Sequence, residues 1–263
     1  MWNEFRKARA ELLIPLTFLG LIAYAESVLA LASLSAGMVI HIMTLFTLIA
    51  VSSIIYSWKP KTSQLLASLV LVPLIRIFSI STPYWPFSDN LVWLGVMTFP
   101  MLVAAFSTIY VQSLKRSDYG FVLGGWKNLP VQVGIILLGV PLGVLEYFIL
   151  TPSPWISEIT PAALMFGGLV ILLGTGVAEE LIFRGIILHN SSLTMDQTTS
   201  IVYVSLLFAA MHIGFVSLPD LLLVFLIGLF FAYAACRTKS LLGVIGCHSL
   251  LNMILYLAAP YIF

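Results

Sequence analysis

The sequence predicts an all-α fold, a polytopic integral membrane helical bundle of about eight to nine transmembrane helices. Composition is the first observation behind this: the 263-residue chain is 60% hydrophobic and 9% charged, with a mean hydropathy of +1.08. A soluble domain sits nearer roughly 45–50% apolar and about 25% charged. The second is a series of apolar runs near the ~20 residues that cross a bilayer. The third is where the charges fall between those runs.

Leu12–Leu34 comes first, after the charged segment Met1–Glu11. It continues past Leu31 and is closed by no small-residue cleavage site, which marks a spanning helix and not a removed signal peptide. The uncharged Ser35–Gly37 fits a tight hairpin into Met38–Ser57. Leu65–Ile80 and Leu91–Leu114 are separated by the breaker Thr82-Pro83-Tyr84-Trp85-Pro86, whose aromatics suit interfacial anchors. Ser117–Leu129 reads as an interfacial stretch anchored by Trp126. It divides residues 1–116, which carry no motif, from a catalytic half at 117–263. Val131–Leu150 and Ala162–His189 flank Thr151-Pro152-Ser153-Pro154-Trp155, and Ser200–Gly214, Leu221–Cys236 and Leu241–Ala259 complete nine runs. Several are short, so eight spans also fit.

Ten of the twelve basic residues lie at alternate ends of these runs: in the N-terminal segment, at Lys59 and Lys61, from Lys115 to Lys127, and at Arg237 and Lys239. The opposite connections carry Asp89, Glu158 and Asp220 without Lys or Arg. The positive-inside rule then places the N-terminus in the cytoplasm and the C-terminus outside, a parity that nine spans satisfy. A net charge of +1 gives no reason to expect nucleic acid as a partner. Cys236 and Cys247 have no metal or disulfide spacing and read as small buried hydrophobes.

Against this background Glu179-Glu180-Leu181-Ile182-Phe183-Arg184 stands out, because each charge at a bilayer centre costs about 2.5–3.5 kcal/mol or more. Glu180 and Arg184 are four apart, the favourable orientation for an ion pair on one helix face. Glu179 lies about 100° around the helix, with its carboxylate left free to act as a general base. Phe208-Ala209-Ala210-Met211-His212 ends the seventh run. In the ninth, His248 and Asn252 share a face and offer two donors to an oxyanion. Counted at ~1.5 Å per residue, Glu180 is about 13 Å from His189 and His248 about 12 Å from Ser240, but His212 is about 18 Å from Ser200.

Glu-Glu-x-x-x-Arg, Phe-x-x-x-His and His-x-x-x-Asn, complete and in order from Tyr119 to Tyr256, resemble the CPBP (ABI) family of intramembrane endopeptidases. The type II CAAX prenyl endopeptidases belong to it. The resemblance implies Glu179 as the base that activates water and His212 as a holder of that water. His248 and Asn252 would form the oxyanion site, with Glu180 and Arg184 shaping it. It implies a peptide or lipidated-peptide substrate in a setting of membrane lipid, taken from the cytoplasmic side. The family is described both as metalloproteases and as metal-independent glutamic proteases. The lack of an HExxH pair favours the second, with no cofactor, although two Glu and two His are enough donors for zinc.

Glu26, His41, Arg76 and Glu146 are further polar residues inside apolar runs. Arg76 and Glu146 could pair with each other or line a cavity, and Arg76 could meet a substrate carboxylate. Gly139-x-x-x-Gly143 allows close helix approach. The competing functions are a non-catalytic membrane immunity or scaffold protein, a zinc-dependent protease and a proton-coupled transporter. No internal repeat supports the last.

Overall fold

The computed structural model describes residues 2–82, 89–123 and 125–263, without the side chains of 2–11 and 126. The anchors expected in Pro83–Pro86 and at the Trp126 side chain lie outside the described residues. All regular structure among the described residues is helical. Among the described residues nine helices are long and apolar enough to cross a membrane: α1 (Leu12–Leu31), α2 (Leu34–Ile55), α3 (Pro60–Ser81), α4 (Asn90–Val111), α5 (Leu129–Leu150), α6 (Pro161–Ser192), α7 (Gln197–Phe215), α8 (Leu218–Thr238) and α9 (Leu242–Ile262). The chain is an integral, multi-pass membrane protein. Large apolar side chains such as Phe99, Phe106, Met165 and Leu226 stand exposed on the outside of the bundle, where lipid is the solvent.

Helix starts follow side-chain caps more closely than they follow hydropathy. Ser33, Asp89, Thr160, Asp196 and Ser217 each accept a backbone N–H of the turn they precede. The first hairpin is therefore tighter than expected: α2 begins at Leu34, and Gly37 lies inside it, where a side chain would collide with Leu29. Two spans break where a proline lacks the N–H and crowds the carbonyl four residues back. α3 is interrupted at Val70, ahead of Pro73, and α5 at Leu138, ahead of Pro141.

α6 is the central helix, packed against α3, α4, α7 and α9. From Leu181 to Leu188 every residue is buried, so this stretch has no lipid-facing side. Its backbone is π-helical over Leu172–Val177 and Leu181–Ile187, on either side of Ala178-Glu179-Glu180. Single wide turns of this kind are found mostly at functional positions. α5 lies on α9 through Gly139 and Gly143: a Cβ on either would sit 2.5 Å from the carbonyl oxygen of Cys247 or Leu251. The start of α9 is covered by residues 117–123, where Leu241 N–H donates to Gly120 O and Ser240 Oγ to Val122 O.

Candidate active site

Glu180 has no exposed surface. Its Oε1 accepts from Arg184 Nη1 at 2.8 Å and from His248 Nδ1 at 2.7 Å, so the local i,i+4 pair is joined by a residue from α9. The Arg184 guanidinium lies 4.1 Å from the centroid of Phe208, 5.4 Å from that of Phe231 and 5.9 Å from that of Phe183. Its Nε and Nη2 have no hydrogen-bond partner among the described residues. Three ring faces stand in for the missing acceptors, an arrangement a delocalised guanidinium tolerates better than an ammonium.

Phe208 joins the three motifs. Its ring centroid is 4.8 Å from His212, 5.9 Å from His248 and 5.2 Å from Phe183. His212 follows the α-helical part of α7, and its Nδ1 is 2.9 Å from Phe208 O. A carbonyl can only accept, so Nδ1 carries a proton, and a neutral His212 presents a lone pair at Nε2. The same logic applies to His248, whose Nδ1 donates to the Glu180 carboxylate.

A cavity of about 460 Å³ is lined by Glu179, His212, His248 and Asn252, with Trp155 and Tyr256 among the residues that close it. Glu179 is partly exposed to it and, like Asn252, makes no hydrogen bond among the described residues. All four side chains expected to carry the chemistry thus meet in one space, while Glu180 and Arg184 sit behind its wall.

The cavity does not lie toward the basic ends of the spans. Its lining includes Ser79 at the end of α3, Trp93 at the start of α4, and Pro152 and Phe215. These belong to the half of the bundle whose connections lack Lys and Arg. Of the two alternatives for Arg76 and Glu146 the structure shows the second: both line the cavity, and Arg76 pairs with Glu26, Nε to Oε1 at 2.8 Å. His248 spends its Nδ1 on Glu180.

The depth mismatch of His212 persists at the helix ends of the structure. With α6 ending at Ser192 and α7 starting at Gln197, Glu180 lies about 18 Å and His212 about 22 Å from those ends at ~1.5 Å per residue. Glu179 and His212 nevertheless line one cavity. Phe231, the place of Trp155 in the cavity and the pairing of Glu26 with Arg76 escaped the sequence reading, although Glu26 and Arg76 each carried a signal as a charge inside an apolar run.

A zinc ion would need three or more protein donors around one point. Among the described residues no group of three or more His, Cys, Asp or Glu is gathered in this way. No curated protein and no solved structure matches the chain. Residues 161–254, which hold all seven motif side chains, match the family model described as type II CAAX prenyl endopeptidase Rce1-like, and over this stretch the chain is similar to that family of intramembrane proteases.

Proposed function

We propose that this protease cleaves peptide bonds by a metal-free, glutamic-type mechanism in which Glu179 activates water. The observation that carries this reading is the contrast between two adjacent acids. Glu180 is fully engaged by Arg184 and His248, whereas Glu179 faces the cavity without a partner.

A water between Glu179 and His212 gives one proton to the Glu179 carboxylate and donates its other hydrogen to His212 Nε2. Its oxygen bonds to the scissile carbonyl carbon. The carbonyl oxygen, now an oxyanion, receives a hydrogen bond from the Asn252 amide. His248 can add a second from Nε2 only when its ring carries both protons, since Nδ1 already donates to Glu180. Glu179 then passes its proton to the departing nitrogen, the C–N bond breaks, and a carboxylic acid and an amine are left. The aromatic lining suits a peptide with an apolar or lipidated segment.

The basic connections put the N-terminus in the cytoplasm. The cavity then faces the opposite side of the membrane, and residues 117–263 act as the catalytic half, with 1–116 as its support. One experiment tests these points together. Purified protein is reconstituted in sealed vesicles, and a quenched-fluorescence farnesylated peptide with a CAAX-type C-terminus is offered to either face, with and without a chelator. Cleavage is expected only from the face bearing residues 151–160, undiminished by chelation and absent in folded Glu179→Gln. Turnover by Glu179→Gln equal to that of the wild type sinks the assignment.

A further inference from the structure

The four N-terminal helices carry none of the motifs, yet one of their side chains reaches the backbone beside a motif histidine. Arg76 Nη2 donates to Met211 O at 2.7 Å, and Met211 is the residue before His212. That carbonyl belongs to the last turn of the α-helical part of α7, where helix geometry leaves acceptors without backbone partners. His212 itself sits at φ −99°, ψ 0°, in the sparsely populated bridge region. Among the described residues its ring is held by the hydrogen bond to Phe208 O and by packing against the Phe208 and Phe215 rings.

Arg76 is in turn aimed by Glu26. The carboxylate has no exposed surface and accepts from Arg76 Nε at 2.8 Å, while His41 Nε2 lies 3.2 Å from the same oxygen. A guanidinium whose fork is held on one edge by a buried carboxylate presents its other N–H groups in a fixed direction. α1, α2 and α3 therefore converge through Glu26, His41 and Arg76 on a single carbonyl of α7.

We propose that Arg76 is a positioning residue: held by Glu26, it fixes the Met211 carbonyl and thereby the His212 ring against the cavity. This rests on the reading of His212 as the group that holds the attacking water, and it gives the motif-free helices a part in the site. Arg76 acts through the backbone of α7 and does not touch the reacting atoms.

The test compares Arg76→Met, Glu26→Gln and the double variant with the wild type in detergent. The readouts are cleavage of the farnesylated peptide, thermal unfolding, and the ¹⁵N-histidine NMR signals, assigned by replacing each of the four histidines in turn. Arg76→Met should lower kcat on the order of 10- to 100-fold with KM changed less than about twofold, as expected for a misplaced group that binds no substrate. It should also destabilise the fold, because Glu26 is left as an unpaired buried charge. The double variant removes that charge. It should regain thermal stability without regaining kcat, and the His212 signal should stay displaced while that of His248 does not move.

Recovery of kcat together with stability overturns the proposal in favour of a purely structural pair. A raised KM at constant kcat overturns it in favour of a substrate contact. An unmoved His212 signal overturns it whether or not the peptide is turned over. Glu179→Gln is carried in parallel: if it remains active the hydrolytic reading fails, while the His212 signal still decides the role of Arg76.

Discussion

In α1–α4 the buried charges meet one another: Glu26 on α1 binds Arg76 on α3, with His41 of α2 beside them. In α5–α9 Glu180, Arg184 and His248 do the same, but Glu179, one residue earlier, makes no hydrogen bond or ion pair among the described residues. The two halves spend similar residue types on different tasks. A buried charge with partners contributes shape, because removing any member leaves the others uncompensated. A carboxylate without partners, beside a cavity, contributes reactivity. The difference between adjacent glutamates on one helix is therefore larger than the difference between the halves as wholes.

The strongest way to break that comparison is to exchange the effects of the two acids. Glu180→Ala should cost about 3–5 kcal/mol, since it strands Arg184 in a ring of phenylalanines and releases His248. Glu179→Gln should stay within about 0.5 kcal/mol of the wild type. Thermal unfolding in one detergent measures both, and equal losses would show that Glu179 is structural as well.

A smaller effect comes from packing. Gly139→Val should push α5 away from the face of α9 that carries His248 and Asn252, at about 1–3 kcal/mol. Peptide turnover should fall further than that stability loss alone implies. Retained activity would mean that α9 does not need α5 to hold its donors.

The smallest effect lies in the turn after His212. Val216 adopts φ 51°, a left-handed conformation that a β-branched residue disfavours. Val216→Gly should stabilise the protein by about 0.5–1 kcal/mol, seen as a raised unfolding midpoint, with the unfolded-chain entropy of glycine limiting the gain.

Much of this was legible in the sequence wherever the physics is local. The nine runs follow from length and hydropathy, and the Glu180–Arg184 pair follows from i,i+4 geometry on one helix. The Glu26–Arg76 pair joins residues far apart in the chain, and periodicity assigns a residue to the membrane without saying which neighbour it faces. The same limit hid Phe231, one phenylalanine among 17 in the chain. The end of the bundle at which the cavity lies was not legible, because motif spacing gives distances along a helix and not the direction in which a cavity opens. α9 begins beneath residues 117–123 and α6 continues past its apolar stretch, so run ends and helix ends do not coincide.

The wide turns on either side of Glu179-Glu180 have a consequence for insertions and deletions. Each holds a residue more than a regular α-helix of the same rise would need. Deleting one residue from Leu172–Val177 would let that turn close into ordinary helix without breaking the span. The faces of α6 turned to α4 and α9 would keep their register, because the wide turn had already absorbed the extra residue. The same deletion in the regular stretch Pro161–Ile171 has no such slack and would rotate everything before it by about 100°. The wide turns are thus the places where α6 can lose three nucleotides of coding sequence with its site still in register.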